Sequence, residues 1–284
     1  MKWNIISDSS IDLFEPENKP ENVDFFTVPF TINVDGVDYV DDEDLDTSVL
    51  LEAMKATKKG SSSACPSPGA WHELFSREGN VIALTITSGL SGSYNSAMAA
   101  RAMVHEEEPE KNIEVIDSRS TGSEIILILR KLCSLISEGL DFDEVMSRVR
   151  EYTKTTYTSF VLSSFDNLVK NGRMSRITGF IAHTMGLVGI GIASPEGTID
   201  IKGVARGRKK AINVVLEDMK HRAVHVHEVI IDHCMNPEFA AMVRDAILEI
   251  WADAHIKLFR TRGLCSYYAE YGGLIIGYSS TPDK

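Results

Sequence analysis

The stretch that decides the fold runs from residue 81 to residue 100 and reads VIALTITSGLSGSYNSAMAA. Its first part, Val81 to Thr87, is an apolar and β-branched run of the length expected for a buried strand. A loop of glycine and serine follows, and a helical pattern begins at Ser93. A strand that passes through such a loop into a helix is the repeating unit of a parallel α/β sheet.

The same alternation continues on both sides of this stretch. Besides 81–87, we predict strands at 3–6, 25–34, 113–116 and 157–162 and helices at 47–59, 68–78, 93–106, 121–137 and 142–153. Asp35-Gly36 is a hairpin signal, and Gly60 is placed to end the first helix. These elements predict a mostly parallel sheet flanked by helices.

A second α/β unit follows, with a different order of elements. We predict helices at 175–185, 208–221 and 237–255, and strands at 187–193, 198–202, 224–232, 256–260 and 274–278. The turn Pro195-Glu196-Gly197 predicts an antiparallel hairpin. The fold class is therefore α/β, with an N-terminal domain at 1–165 and a C-terminal domain at 166–284 that pack closely.

Composition excludes several classes of protein. The chain has 284 residues, of which 43% are hydrophobic and 25% charged, with a net charge of -12. These values exclude a disordered, collagen-like or disulfide-stapled chain, and the negative charge argues against nucleic-acid binding. The four cysteines show no C-x-x-C spacing. The first residues, MKWNIISD, show no signal or transit pattern, so we expect a cytoplasmic protein.

Two hydroxyl-rich segments precede helices. In residues 61–68, SSSACPSP, Ser67 is placed as the N-cap and Pro68 as the first helical residue. In residues 87–93, the glycine-serine loop leads from the strand into the next helix. Free backbone amides and hydroxyls at a helix N-terminus attract carboxylates and phosphates. Capping alone is the alternative explanation for either segment.

The second loop is also close to the nucleophile elbow G-x-S-x-G, because Ser91 stands at the position of the nucleophile. A serine hydrolase would in addition need a histidine base, and no later histidine lies in a glycine-flanked loop. No Walker motif or G-x-G-x-x-G follows a strand, so a bound nucleotide is not indicated.

Two clusters of side chains leave alternatives open. His225 and His227 would share one face of a strand and could hold a metal ion, or they could be solvated. The positive residues of the second half suit either a solvated helix start or docking of an acidic partner or phosphate. These residues are Arg173, Arg176, Lys202, Arg206, Arg208, Lys209 and Lys210.

Residues 177–194 contain no charged side chain. Four glycines and a histidine interrupt the stretch, which argues against a membrane span. Buried core and the lining of a cavity for an apolar ligand are the remaining explanations, since glycine lets a ligand approach the backbone. As the cavity lining we predict Ile177, Phe180, Ile181, Met185 and Ile190.

Five motifs in order along the chain resemble those of the DegV family. Residues 7–13, SDSSIDL, resemble its T-D-S-T-A-D-L, and residues 86–97, ITSGLSGSYNSA, are close to its most specific signature. Residues 115–118, VIDS, look like the end of its middle strand. Residues 167–175, NLVKNGRMS, resemble N-L-x-K-G-G-R-I-S, and residues 203–211, GVARGRKKA, resemble K-V-R-G-x-K-K-A.

The resemblance implies a two-domain α/β protein that holds one long-chain fatty acid between its domains. Such proteins are the binding subunits of fatty acid kinase, in which a separate ATP-binding subunit phosphorylates the carboxylate to an acyl phosphate. The chain itself would then have no catalytic residue, metal or cofactor other than its ligand. The resemblance assigns the ligand carboxylate to Ser63, Ser91, Gly92, Ser93 and Tyr268.

The resemblance also assigns Arg173 to the surface that faces the kinase, and we add Arg206 from the positive cluster. Two motifs differ from the family pattern. Residues 63–67, SACPS, replace T-S-Q-P-S, and residues 268–272, YAEYG, stand where H-x-G-P-G is expected. Ser63 keeps a hydroxyl donor, whereas Tyr268 donates without the positive charge of a histidine. We expect Glu270 to add a repulsive negative charge.

Overall fold

The fold is described from a computed structural model, which covers residues 1–57, 60–174 and 186–280. The strands, in chain order, are β1 Trp3–Asp8, β2 Val23–Val28, β3 Thr31–Val34, β4 Val37–Val40, β5 Ser61–Ala64, β6 Asn80–Thr85, β7 Ile113–Asp117, β8 Thr156–Leu162, β9 Leu187–Ala193, β10 Ile199–Arg206, β11 Val226–His233, β12 His255–Arg260 and β13 Leu274–Ser280. The helices are α1 Thr47–Ala56, α2 Pro68–Phe75, α3 Ser93–Glu107, α4 Ser123–Ser137, α5 Phe142–Tyr152, α6 Asp166–Lys170, α7 Arg208–Arg222, α8 Pro237–Leu248 and α9 Gly263–Ala269.

The first half of the chain forms a four-stranded parallel sheet with the order β2-β1-β6-β7. Helices α2 and α3 cover one face, where Trp71 and Phe75 are buried against the sheet. Helices α4 and α5 cover the other face, against Trp3 and Ile5. All six residues of β1 and of β6 are buried, as expected for strands covered on both faces. The predicted parallel sheet is confirmed.

The second sheet has six strands in the order β10-β9-β8-β13-β11-β12, of which only β11 and β12 run parallel. Helices α7 and α8 cover one face. Helix α4 packs against β11 and β13 on the other face as well as against the first sheet. A Cβ on Gly277 would lie 2.6 Å from the backbone nitrogen of Glu124, so this glycine lets α4 approach β13 closely.

Strand β8 is found where the sequence analysis did not place it. We predicted it as the last strand of the first unit, but it pairs antiparallel with β9 and β13 in the six-stranded sheet. The predicted division at residue 165 therefore does not separate the two sheets. A short buried strand contains no local signal for the sheet that it joins, because both faces of either sheet are apolar.

A small three-stranded sheet, β4-β3-β5, extends from the first half. The hairpin signal Asp35-Gly36 is confirmed, since both residues have positive φ, at 54° and 84°, between β3 and β4. Strand β5 was predicted as a loop, but it pairs antiparallel with β3. Its residues Ser61 and Ser63 therefore point to the same side.

Several element ends differ from the prediction. Helix α1 ends at Ala56 with an extended C-cap, Thr57, so Gly60 does not cap it. Helix α8 ends at Leu248 rather than at residue 255. Helices α6 and α9 were not predicted, because each is shorter than two apolar repeats of a helix. The helix predicted at 175–185 lies outside the described residues.

Within the described ranges, none of the helices has the length and apolar character needed to cross a membrane.

Candidate binding site

A pocket lies between the two sheets, at the carboxyl ends of β6 and β7, which is where ligands of open α/β sheets collect. The space without atoms is about 840 Å³, including the part open to solvent. Its apolar wall contains Phe30, Ile86, Leu90, Phe160, Leu162, Leu168, Leu264 and Ile275. Polar side chains from four separate segments, Ser63, Ser91, Arg173 and Tyr268, also line it.

Alternate residues of the six-stranded sheet build this wall. On β8, Phe160 and Leu162 line the pocket, whereas Val161 between them packs in the core under α7 and α8. Strand β9 follows the same rule, because Ala193 lines the pocket while Ile190 lies in that core. Strand residues alternate between faces, so the predicted role of Ile190 in the cavity lining is corrected. The other predicted lining residues, Ile177, Phe180, Ile181 and Met185, lie outside the described residues.

The loop after β6 is held from both sides by carboxylates of neighbouring strands. Asp8, the last residue of β1, is fully buried and accepts hydrogen bonds from the Ser93 hydroxyl at 2.6 Å and the Ile86 amide at 3.0 Å. Asp117, the last residue of β7, accepts from the amide and hydroxyl of Ser88. Because β1 and β7 flank β6, their carboxyl ends place both acids beside the loop.

Of the three predicted loop residues, the structure brings Ser91 into the pocket. Ser93 is fully buried, and its hydroxyl donates to Asp8, while its backbone amide donates to Ser91 Oγ at 3.3 Å. Gly92 is the residue before α3 and lies beside Cys65, whose Sγ would be 3.5 Å from a Cβ there. Gly92 and Ser93 are not among the residues that line the pocket. Ser91 is therefore the loop hydroxyl that faces a ligand.

The second hydroxyl comes from β5 and pairs with a residue far away in sequence. Ser63 Oγ lies 2.8 Å from the hydroxyl of Tyr268, on α9, and Ser61 makes the equivalent contact with Tyr267. Burial raises the pKa of Tyr268 above its usual value, while the Ser63 hydrogen bond and the Arg173 charge act in the opposite direction. Tyr268 is therefore a neutral donor at physiological pH.

The two arginines predicted to face a partner differ in position. The Arg173 guanidinium donates to the carbonyl of Leu90 at 3.2 Å and to that of Asn171 at 2.7 Å, and it lines the pocket beside Tyr268. Arg206 is exposed at the end of β10. Arg173 is thus tied to the loop that presents Ser91, so a positive charge lies at the polar end of the pocket.

The expected repulsion from Glu270 is not found at this site. Glu270 lies outside the pocket lining and faces a separate cleft with Asp166 and Lys170. Its carboxylate accepts a hydrogen bond from Ser164 at 2.9 Å. Burial raises the pKa of Glu270, and the Ser164 hydrogen bond opposes this shift. The residue directs its charge away from the pocket because the chain turns at Glu270, with φ of 54°, directly after α9.

The described residues give no support to the two alternative sites, a serine hydrolase site at Ser91 and a metal site at His225 and His227. Histidine does not occur among the described residues that line the pocket, so no base adjoins Ser91 in that part of the chain. His225 Nε2 lies 3.1 Å from Asp253, and the rings of His225 and His227 are in edge contact at 4.7 Å. In the described residues, no group of three or more histidine, cysteine or acidic side chains is arranged to hold a metal ion.

Several site residues were missed by the sequence analysis. Asp8 was quoted only as part of a motif, although an acid that ends the strand beside β6 is a local signal for an anchor of the loop. Tyr268 was assigned by resemblance, and its pairing with Ser63 was not predicted. Arg119, Thr121 and Cys265 also line the pocket. No sequence signal indicated these three, because α9 and the loop after β7 lack a recognisable pattern.

Comparison with known proteins gives consistent relatives over the whole chain. A sequence model of the DegV family matches residues 2–280. A DegV domain-containing protein of Streptococcus gordonii is 40% identical over 278 residues, which cover 98% of this chain and 99% of the relative. The crystal structure of the Streptococcus pneumoniae fatty acid kinase (Fak) B3 protein loaded with linoleic acid is 38% identical, with a TM-score of 0.96 over 99% of this chain and 100% of that chain. A DegV family protein of Eubacterium eligens loaded with heptadecanoic acid is 35% identical, with a TM-score of 0.93 over 98% of this chain and 100% of that chain.

Proposed function

The chain belongs to the DegV family, and from that premise we propose that it binds one long-chain fatty acid in the pocket between its two sheets. The acyl chain lies along the apolar wall. We assign the carboxylate to the hydroxyls of Ser63, Ser91 and Tyr268, which line the pocket; Gly92 and Ser93, which the resemblance also assigns to it, do not line the pocket. The 38% identical protein loaded with linoleic acid supports this class of ligand.

One observation carries the proposal, which is that a mostly apolar pocket also contains a small number of hydroxyl and guanidinium groups. Ser91, Ser63 and Tyr268 converge there from three elements, and Arg173 adds a positive charge. Pockets of this composition bind amphipathic ligands, because apolar contact supplies affinity and a few fixed donors orient the head group. Burial of each methylene contributes about 0.8 kcal/mol, so a long chain is retained even though the donors are mostly neutral.

We further propose that a separate ATP-binding kinase subunit phosphorylates the bound carboxylate. The relative named as a fatty acid kinase protein supports this partner. In this arrangement the chain holds the fatty acid, and the partner subunit catalyses the phosphoryl transfer. Arg173 and Arg206 are the residues that we assign to its docking surface, since both are cations on an acidic chain. Complementary charge between partners raises association rates and selects the correct partner.

Native mass spectrometry of gently purified protein tests the binding proposal. We expect one acyl chain per protein, and uptake of linoleic acid by delipidated protein. Ser91→Ala should bind more weakly, while Ser137→Ala, on the exposed side of α4, serves as the matched control. Wild-type protein that neither carries nor takes up a fatty acid would rule out the proposal.

The kinase proposal has its own test. Acyl-phosphate formation is measured with the cognate kinase, ATP and protein loaded with linoleic acid. We expect Arg173→Ala and Arg206→Ala to reduce the rate, and Arg244→Ala on α8, where Arg244 pairs with Asp245, to leave it unchanged. Equal rates for all three variants and the wild type would contradict the docking surface without affecting the binding proposal.

A further inference from the structure

We propose that Asp8 is the positioning residue of the fatty-acid site: its carboxylate fixes the loop after β6 so that the Ser91 hydroxyl is the donor available to the ligand. The inference rests on the proposed function, because it assigns the residue that sets up the head-group site. Asp8 itself does not line the pocket. It acts through Ser93 and Ile86, which lie at the two ends of the loop.

Both oxygens of Asp8 are fully used. Oδ1 accepts from the backbone amide of Ser10 at 3.2 Å and from its hydroxyl at 2.5 Å. Oδ2 accepts from the Ile86 amide at 3.0 Å and from the Ser93 hydroxyl at 2.6 Å. The residue is fully buried. Four donors satisfy the carboxyl group, and together they oppose the rise that burial causes in the pKa of Asp8. One side chain therefore joins the start and the end of the loop to the end of β1.

These contacts decide which hydroxyl serves the ligand. The Ser93 hydroxyl has a single proton and donates it to Asp8, so it cannot donate to a carboxylate in the pocket. The Ser93 amide donates to Ser91 Oγ. Because this contact uses an acceptor site of Ser91, the Ser91 proton stays free to point toward the ligand. A donor that is already oriented does not have to be ordered when the ligand binds.

The hydrogen bonds of Asp8 also explain why this position needs a carboxylate rather than the asparagine amide, which has the same shape. Each oxygen of Asp8 accepts from a backbone amide, one from Ser10 and the other from Ile86. In Asp8→Asn, one of the two positions becomes an NH2 group. Either orientation of the amide then places two donors against each other, and a backbone amide in a buried site loses its partner.

Asp117 provides a matched control on the other side of the same loop. Its Oδ1 accepts from the amides of Ser88 and Arg119, at 3.1 and 3.0 Å, whereas Oδ2 accepts only from the Ser88 hydroxyl. A hydroxyl can turn and accept instead of donating. Asp117→Asn therefore keeps every contact, with its oxygen on the two amides and its nitrogen donating to Ser88.

The test compares two ligands with the same chain, linoleic acid and linoleyl alcohol, on delipidated full-length protein. Wild type should bind the acid more tightly. In Asp8→Asn we expect the affinity for the acid to fall about tenfold, a typical effect of losing a hydrogen bond to a charged group. The affinity for the alcohol should change less than about threefold. Asp117→Asn should keep the wild-type ratio of the two affinities.

The outcomes separate the inference from the function on which it rests. If wild type binds neither ligand, the proposed function fails. If wild type binds the acid and Asp8→Asn keeps the acid-to-alcohol ratio, Asp8 is not a positioning residue, and the same conclusion follows if a folded Asp8→Asn loses both ligands equally. Such a variant would have damaged the pocket rather than the recognition of the carboxylate.

A second pair of variants tests the inference if Asp8→Asn does not fold. Ser93→Ala removes one donor to Asp8 and leaves the contacts of Ile86 and Ser10 intact. We expect a fall of about threefold in the acid-to-alcohol ratio, because one neutral hydroxyl contact to the loop is lost. Ser93→Thr keeps the hydroxyl and should restore the ratio. An unchanged ratio in Ser93→Ala would overturn the proposal.

Discussion

Two regions place hydroxyl groups in the pocket, the loop after β6 with Ser91 and helix α9 with Tyr268. Buried carboxyl groups hold both regions in position. The loop that carries Ser91 is held by Asp8, whose two oxygens receive four donors. Helix α9, which carries Tyr268, is held at its start by Asp41 and Asp12. Asp41 accepts from the amides of Gly263 and Leu264, both at 2.8 Å, and Asp12 accepts from the amide of Arg262 at 2.6 Å.

The two regions differ in how completely their acids are satisfied. In the α9 region, Asp12 Oδ2 and Asp232 Oδ1 are buried and have no donor within the described residues. Burial raises the pKa of both carboxyls, and the charge of Asp12 raises that of Asp232 further. Two carboxyls buried beside each other are therefore not both ionised near neutral pH. Gly122 makes room for the two acids, since a Cβ there would lie 3.0 Å from an oxygen of each.

Because of this difference, we expect the α9 region to respond mainly to pH and the loop region to respond mainly to a change of side chain. The loop region depends on one carboxylate with four donors, and these hydrogen bonds oppose the rise that burial causes in the pKa of Asp8. The α9 region contains two buried acids with raised pKa values, Asp12 after β1 and Asp232 on β11. Its stability therefore depends on the pH.

The largest effect is expected for Asp41→Asn. Each oxygen of Asp41 accepts from a different backbone amide, so an asparagine leaves one of them unpaired beside the buried Arg262. We expect the free energy of unfolding to fall by about 3 kcal/mol, as for other buried charges that lose a partner, in urea denaturation. Asp46→Asn is the control, because Asp46 caps α1 on the surface and asparagine is an equally good N-cap. Equal stability of the Asp41→Asn and wild-type proteins would contradict the anchoring role.

The pH dependence of stability comes next. Burial raises the pKa of Asp12 from an ordinary value of 3.8 to about 7, and burial together with Asp12 raises that of Asp232 well above its ordinary value. The folded state therefore holds protons that the unfolded state releases. This contribution is fully present below pH 3.8 and is lost as the pH rises through about 7.

Asp232→Asn checks that assignment. The variant removes one of the two buried carboxyls, so the loss of stability between pH 6 and pH 8 should be smaller than in wild type by up to about 1.4 kcal/mol per pH unit. Thermal unfolding across this range measures the slopes. Asp143→Asn, exposed in the first turn of α5, should keep the wild-type slope. An unchanged slope in Asp232→Asn would place the titrating group elsewhere.

Ser91→Ala tests the loop region through its ligand. We expect about a tenfold loss of affinity for linoleic acid, since Ser91 is the oriented donor to a charged group. The stability of the empty protein should stay close to wild type, because within the described residues the Ser91 side chain accepts a single weak contact, at 3.3 Å, from the Ser93 amide. Isothermal titration measures the affinity. A fall in stability without a fall in affinity would assign Ser91 to the fold instead of the site.

The smallest effect is expected for Tyr268→Phe. The variant removes a neutral hydroxyl that already contacts Ser63, so we expect about a threefold loss of affinity for linoleic acid. Tyr267→Phe is the matched control, because the Tyr267 hydroxyl contacts Ser61 and Asn171 and does not line the pocket. It should reduce stability and leave the affinity unchanged. A larger loss of affinity in Tyr268→Phe than in Ser91→Ala would mean that the α9 region contributes more to binding than the loop region.

Most of the fold could be predicted because local sequence patterns determine its strands, helices and turns. Apolar runs marked the strands of the parallel sheet, and Ser67 followed by Pro68 marked the start of α2, where Ser67 accepts from the Ala70 amide. The hairpin at Asp35-Gly36 followed from turn chemistry. Strand β5 was missed because a run of serines lacks an apolar pattern, and its pairing with β3 is a long-range contact.

The site could be predicted only in part. The sequence pointed to the serine loops, and the resemblance added Tyr268 and Arg173; of these residues Ser63, Ser91, Arg173 and Tyr268 line the pocket. The direction of Glu270 and the side of the sheet on which Ile190 lies could not be read from the sequence. Both depend on how an element is oriented against its neighbours, and that orientation has no local signal.

The sequence by itself determined the alternation of strands and helices, the hydroxyl-rich segments that precede α2 and α3, and the excess of negative charge. These follow from periodicity, capping and composition, which act over a few residues. Only the tertiary structure decided that the Ser93 hydroxyl donates to Asp8, that Ser63 contacts Tyr268, and that Asp12 and Asp232 are buried together beside Gly122. Such contacts join groups 85 to 220 residues apart along the chain. They exist because packing around α4 brings the carboxyl ends of both sheets to one place.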